Sequence, residues 1–309
     1  MGVNVIDFKG SEALISTEMA KEVFTGVCES SAVLKLARKL PNMTSKQRRL
    51  PVSTSLTSAY FVEGESGVNF SNKAWEGVYI DATEIACVVP VPRSVLDDSE
   101  FDIWQQVKPD VISAFGKIID RAILFGENAP SFWPKAIVKR VREANQVVDV
   151  EGENSDYDKL LGSDGLVAKV ENKGHLVTGH IGKMQSRGYL RSIVDDNNRP
   201  IFKNAMTDVT KYDIDGVETL FPKNGALVEG DPMIVSGDFS SLVYAIRQDL
   251  TMKLFTEGVI QNPDGSIAYN LLQQDMVALR FVMRLGWQLP NPASNLHTDT
   301  VACPFAILE

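Results

Sequence analysis

The chain has little of what binding and catalytic frameworks are usually made from. Of its 309 residues only three are cysteine, Cys28, Cys87 and Cys303. Their odd number and wide spacing exclude a disulfide framework and a zinc site built from close ligand pairs, and leave free, buried thiols. Histidine is as scarce. His175 and His180 lie five apart, without the glutamate and the four-residue step that set two imidazoles around zinc on one helical face; these and His297 read as satisfied or surface histidines, and no metal or other cofactor is expected. Positive charge is in deficit too: 31 Lys and Arg against 40 Asp and Glu give a net charge of -9. That argues against nucleic acid as the main ligand, because phosphate binding needs a continuous surface dominated by basic groups. No uncharged apolar run reaches roughly 18 residues, and the N-terminus MGVNVIDFKGSEAL lacks the basic patch and apolar segment of a secretory leader. The expectation is a protein made and kept in a cytoplasm, with no membrane span. Internal repeats and low-complexity tracts are absent.

Catalytic motifs are missing as well. In KGHLVTGHIGKM the spacing of Gly174, Gly179, Gly182 and Lys183 misses that of a phosphate loop, and Met184 occupies the place of the metal-binding hydroxyl. SGDFSS is a poor substitute for a nucleophile elbow. Asp97 and Asp98 sit at a helix start, where negative charge suits the dipole, and Asp195 and Asp196 in a turn-like DDNN. The NMT at Asn42 matches a glycosylation acceptor but has no secretory context.

What is present is a core and a distinctive order of elements. A hydrophobic content of 44% supports one large or two modest folded domains. Residues 16–40 give two short amphipathic helices broken at Glu29-Ser30-Ser31, with serines placed to cap the second; Val23 and Val27 share one face, Val33, Leu34 and Ala37 another. An extended, polar segment follows, with Leu50, Val52, Leu56, Tyr60 and Val62 at even spacing, and strand character returns over 78–89 with a phase slip at Thr83-Glu84 that suggests a bulge. Together these read as a long thin hairpin. Pro90 and Pro92 cannot donate to a ladder, so this strand is ending or lies at an edge. Ser99 and Asp102 have capping-box spacing and predict a long helix. Its apolar stripe is Trp104, Val107, Val111, Phe115, Ile118, Ile119 and Ala122, with a stop at Gly126. Pro109 predicts a kink or break near that helix's first turn. Residues 160–250 mix strands and helices. A second long hairpin is predicted around the NPDG turn, its later arm alternating Val277, Leu279, Phe281, Met283 and Leu285 with Arg280 and Arg284.

This order resembles that of the major capsid proteins of tailed double-stranded DNA bacteriophages, the Hong Kong 97-type fold. LPVSTSLTSAYFVEGESG…KAWEGVYIDATEIACVVPVPRSVLDDS is similar to the family's E-loop hairpin leading into a spine helix, SEFDIWQQVKPDVISAFGKIIDRAILFG. LRSIVDDNNRPIF and GDFSSLVYAIRQDLTMKL are similar to segments of its axial domain, DMVALRFVMRLGWQLPNP to its late peripheral strand, and ACPFAIL to the return to the axial domain.

The resemblance implies an α+β chain with an N-terminal arm (1–45), an E-loop hairpin (46–92), a peripheral domain with the spine helix (93–159), an axial domain (160–250), a long peripheral hairpin (251–288) and a return to the axial domain (289–309). It implies no enzyme and no cofactor, but a shell subunit that forms hexamers and pentamers around DNA held as enclosed cargo. Its partners would be a separate scaffolding protein, a portal and a maturation protease, with assembly in the host cytoplasm and residence in the virion. Interface candidates are Phe61, Phe70 and Trp75 as aromatic anchors, Arg48 and Arg49 at the hairpin's base, and Glu63 and Lys73 in its loop. One relative joins subunits through a lysine placed like Lys73, but the acceptor Asn and assisting Glu have no match here, which leaves Lys73 a solvated loop lysine. Two alternatives accompany this reading: an encapsulin-like protein compartment sharing the fold, and a cytoplasmic α/β enzyme using residues 160–250.

Overall fold

The computed structural model describes residues 22–56, 73–93, 103–151, 155–194, 213–262, 264–291 and 303–309, with the backbone alone over 103–106. Helices α1 (22–30) and α2 (Ala32–Leu36) open it. The serine break between them works as expected: Ser31 is the N-cap of α2, its hydroxyl accepting from the Leu34 N–H at 3.1 Å. Strands β1 (Arg38–Lys39), β2 (Gln47–Ser53), β3 (Trp75–Asp81) and β4 (Thr83–Pro92) lead to the long helix α3 (Ile103–Leu124). A mixed unit follows: α4 (Ile137–Glu143), β5 (Val147–Val148), α5 (Asp156–Leu161), α6 (Leu166–Glu171), β6 (Gly179–Gly182), α7 (Ser186–Ser192), β7 (Asp213–Ile214), β8 (Val217–Leu220) and β9 (Ile234–Gly237). The chain then runs out along β10 (Val243–Phe255), turns through β11 (Val259–Gln261) and β12 (Ile267–Asn270), returns along β13 (Met276–Gln288) and ends in β14 (Phe305–Leu308).

Two main sheets carry the fold. One has the order β5-β14-β9-β6-β8-β7, the other β1-β10-β13-β4; β2-β3 and β11-β12 are separate two-stranded ribbons. The principal core joins α1, α2, α3 and α4 to both main sheets through Phe115, Ile119, Phe239, Leu285, Trp287 and Phe305. A second core, with Leu160, Leu166, Val170, Leu190 and Ile214, packs under the six-stranded sheet.

On α3 the stripe Val111, Phe115, Ile119 and Ala122 is buried, joined by Ile123, while Ile118 is 40% exposed. At 3.6 residues per turn Ile118 lies at the edge of the stripe, about 20° outside Val111 and about 100° from Ile119. The break expected at Pro109 is not there. Helix α3 is continuous from Ile103 to Leu124 with the proline at its seventh position, beyond the first turn. Pro109 is exposed, so the carbonyl at 105 that loses its partner lies on the solvent side of the helix, where water can take the missing donor's place. Ser99 and Asp102 lie outside the described residues.

The two prolines of β4 sit where their chemistry requires. This strand is the outermost of the four-stranded sheet, with Pro90 opposite Ala278 and Pro92 opposite Met276. Neither can donate, so both are non-hydrogen-bonded positions whose nitrogens face away from β13. The bulge expected at Thr83-Glu84 is absent, since pairing with β13 runs in unbroken register from Thr83 to Pro92. The phase slip has another cause. At Ala82 the chain leaves the β2-β3 ribbon and enters the four-stranded sheet, so the buried side changes where the partner strand changes.

Strand β13 is as its alternation suggests. Val277, Leu279, Phe281, Met283 and Leu285 are buried, while Arg280 and Arg284 share Glu84 on the outer face. The turn between β11 and β12 closes through Gly265, at φ +83°, whose N–H donates to the Asn262 carbonyl at 2.9 Å.

Candidate assembly interface

The ribbon β2-β3 is the feature that positions most of the expected interface residues. In register, Gln47 faces Asp81, Pro51 faces Gly77 and Ser53 faces Trp75. It has almost no core. Ile80 at its root packs with Met43, Ala82, Val243 and Ala245 in a small cluster separate from the main core. Further out, Trp75 is 59% and Tyr79 47% exposed.

Lys73 and Trp75 are brought together, the ammonium lying 4.6 Å from the ring centroid, which gives the lysine a cation–π partner instead of solvent alone. Arg48 and Arg49 point to opposite faces of β2, as neighbours in a strand must. The Arg48 guanidinium donates to the Pro41 carbonyl at 2.8 Å. Arg49 crosses the ribbon over Gly77, where a Cβ would fall 2.2 Å from its Nε, so the glycine makes that crossing possible. Phe61, Glu63 and Phe70 lie outside the described residues.

A second exposed apolar region, not singled out from the sequence, lies at the far end of the β10-β13 arm. Leu254 (43%), Val259 (49%), Ile267 (64%) and Leu272 (73%) are all open. Its signal was available: Ile267 and Leu272 flank a turn and have no periodic partners to bury them.

The part of the molecule that carries these projections is held by a buried acid. Asp120 of α3 is 1% exposed. Its carboxylate accepts from the Ser31 hydroxyl at 2.5 Å, the Ala32 and Val33 N–H groups at 3.2 Å, and the Asn224 amide at 2.9 Å. Burial pushes this carboxyl's pKa up, against the four donors. The site joins the α1–α2 corner, α3 and the loop after β8. Next to it, Arg121 donates to the Ala226 carbonyl at 2.8 Å and to Asp231 at 3.2 Å, and also pairs with Glu127. The sequence clue was Gly116, one turn before Asp120 and tight against Ser30; a small residue and an acid on one face mark a close crossing.

The groups tested for catalysis are used structurally. His180 is fully buried between the Ser236 hydroxyl (2.6 Å) and the Ile214 carbonyl (3.3 Å), and burial lowers its pKa to about 4. His175 lies 3.7 Å from Asp238. Burial also pushes the Cys303 thiol up to about 11, the opposite of an activated nucleophile. Among the described residues, no three His, Cys, Asp or Glu side chains are grouped to hold a metal, and no helix is long and apolar enough to cross a membrane.

Comparison with known proteins agrees with this arrangement of thin projections on a mixed core. Residues 12–295 match the phage capsid family. The major capsid protein of Staphylococcus phage 80alpha is 27% identical over 291 residues, covering 91% of this chain and 83% of that one. A solved chain from Microbacterium phage Oxtober96 superposes with a TM-score of 0.75 at 28% identity, covering 90% of each chain. One from Mycobacterium phage Bobi gives 0.73 at 26%, covering 90% of this chain and 89% of that one. At 15% identity, the capsid of a native GTA particle shares the fold with a TM-score of 0.62, covering 90% of this chain and 89% of that one. These matches decide among the three readings, in favour of the capsid and against the protein compartment and the enzyme. The chain belongs to the phage capsid family: it is a phage major capsid protein, a structural component of the virion and not an enzyme.

Proposed function

We propose that copies of this chain form hexamers and pentamers that close into an icosahedral shell around phage DNA, with the β2-β3 ribbon of each copy lying over a neighbour. The observation that carries this is Trp75. A tryptophan left 59% exposed among the described residues, on a ribbon whose small core lies at its root, is placed for burial by another subunit, and aromatics supply large contact area at low entropy cost. Phe61 and Phe70 are the companion anchors, with Arg48, Arg49, Glu63 and Lys73 as polar contacts around them. The apolar tip at Ile267 and Leu272 serves a second contact. Each contact is modest and the sum around a ring is large.

In this reading residues 1–45 are an arm, 46–92 the E-loop hairpin, 93–159 and 251–288 the peripheral domain, and 160–250 with 289–309 the axial domain. The pairing of β14 with β9 supports the last grouping. A separate scaffolding protein, a portal and a maturation protease act with the chain in the bacterial host cytoplasm, and DNA is enclosed cargo.

Electron microscopy and analytical ultracentrifugation of the purified chain, alone and with its scaffold, test the proposal. Closed shells, or rings of five or six, are expected. A strictly monomeric species at high concentration in both conditions overturns it.

A further inference from the structure

The chain contains a single Asn-Gly pair, Asn224-Gly225, in the loop after β8 that closes on Asp120. An asparagine followed by glycine is among the most labile amides in a polypeptide, because glycine has no side chain to shield its nitrogen or to restrict its backbone. The Gly225 nitrogen bonds to Asn224 Cγ, the Cγ–Nδ2 bond breaks, and Nδ2 leaves as ammonia with the proton that Gly225 gives up. Water then opens the five-membered imide at either carbonyl, leaving aspartate or its β-linked isomer at 224.

Fit holds this labile pair in place. Asn224 Nδ2 donates to the Asp120 carboxylate at 2.9 Å and to the Ser30 carbonyl at 3.1 Å, while Oδ1 accepts from the Ala226 N–H at 3.0 Å. An amide can do all three; a carboxylate cannot. Gly225 has φ +71°, in the left-handed region that strains other residues.

The same fit suppresses the reaction. For Nδ2 to leave, both of its hydrogen bonds must break. Gly116 closes the site from α3, so tightly that a Cβ there would lie 3.2 Å from Nδ2, and Asn224 is only 7% exposed. Ring closure therefore waits for this corner to open.

An unfolded chain has no such protection, and its product does not fit. With aspartate at 224 an oxygen replaces Nδ2, 2.9 Å from the carboxylate of a residue that is 1% exposed. Two carboxylates then face each other, and the donor to the Ser30 carbonyl is gone. Arg121, next on α3, is engaged by Ala226, Asp231 and Glu127. Lys117, one turn earlier, is exposed. We infer that Asn224-Gly225 is a deamidation site that folding shuts off, and that a chain deamidated before it folds is barred from closing the Asp120 corner and hence from the pool of folded subunits. The pair records how long a chain has stayed unfolded.

Peptide mapping by mass spectrometry tests this on the wild-type chain, incubated folded and in urea at mildly alkaline pH. Deamidation at 224 is expected to be at least about tenfold slower in the folded chain; equal rates overturn the inference. On removal of urea, the folded fraction is expected to be depleted at least about tenfold in chains bearing aspartate or isoaspartate at 224, and an undepleted fraction overturns it. Freshly expressed Asn224→Asp, compared with Asn224→Ala, separates the added charge from the lost donor. Asn224→Asp is expected to melt lower or to be recovered only unfolded, whereas a midpoint at or above that of Asn224→Ala overturns the exclusion.

Discussion

The indole N–H of Trp133 donates to the carbonyl of Asp81 at 3.1 Å, at the residue where β3 ends and the chain crosses to the four-stranded sheet. Gly286 lies beneath that crossing, and a Cβ on it would sit 2.4 Å from the Asp81 oxygen and 2.8 Å from Ile80 Cγ2. This hydrogen bond and this close approach help fix the ribbon to the body, beside the Gln288 amide on the Tyr79 carbonyl and the packing of Ile80 on Val243 and Ala245. Trp133→Phe, which loses the donor and part of a buried ring packed on Trp287, should cost about 2 kcal/mol. Gly286→Ala should cost more, because backbone must move, and its melting midpoint should fall below that of Trp133→Phe. The reverse order in thermal melts would show the close approach to be slack.

Asp120 holds three segments at once, and all four of its partners are donors. Asp120→Asn places an amide among donors and leaves some unmatched, with an expected loss of about 3 kcal/mol. Asn224→Ala removes one of the four and should cost about 1 kcal/mol. Urea unfolding of both variants decides: equal losses would mean that the carboxylate is not the organising group.

These two sites also mark the boundary of what was legible in the sequence. Local rules placed Ser31 as a cap, Pro90 and Pro92 at an edge, and the buried face of β13, since each depends on neighbours within a turn or a strand. The change of sheet at Ala82 looked like a bulge because a phase slip records that the partner changes, not which strand replaces it. Asp120 was not singled out in the sequence, because its partners are 87 to 104 positions away. As a helix break Pro109 was overweighted: the cost of an interior proline depends on whether the freed carbonyl meets water, which only the packed helix reveals. Of the interface, the aromatic and basic candidates came from a family resemblance, and the apolar tip at Ile267 and Leu272 was overlooked because an exposed turn is ordinarily polar.

His180 gives the subunit a pH dependence of known sign. Burial lowers its pKa to about 4 from an ordinary 6.5. Above pH 6.5 folded and unfolded chains are both neutral there, and the stabilisation is fully present. As pH falls from 6.5 toward 4, the unfolded chain takes a proton that the folded one refuses, so stability is lost across that window, by about 3 kcal/mol at most. His180→Gln keeps a donor for the Ile214 carbonyl and removes the titration. It should be less stable at neutral pH but show a flatter profile from pH 7 to 4.5. A parallel decline in both proteins would assign the acid lability elsewhere.

Trp75 separates folding from assembly. Its ring meets Lys73 and the residue is 59% exposed among the described residues, so Trp75→Ala should move subunit stability by no more than about 0.5 kcal/mol while particle yield falls sharply. Replacing residues 64–74 by a short turn should act the same way. Melting and electron microscopy on one preparation read both properties. Loss of the folded subunit would make this ribbon part of the core, and intact shells would remove it from the interface.

The closed edge of β4 makes a prediction opposite in sign. Pro90 and Pro92 lie at non-hydrogen-bonded positions against β13, so Pro90→Thr with Pro92→Thr costs no ladder bond. Threonine has good strand propensity, and subunit stability should hold or rise slightly. What changes is the outer edge, which gains two N–H donors beside Val88, itself 43% exposed. Uncovered donors next to an exposed β-branched residue favour edge-to-edge pairing. The double variant should therefore aggregate faster on refolding and compete with ordered assembly, seen as greater light scattering at equal concentration and a lower particle yield. If scattering and yield match wild type while the melt is unchanged, the prolines do not guard the edge and serve only to end the strand.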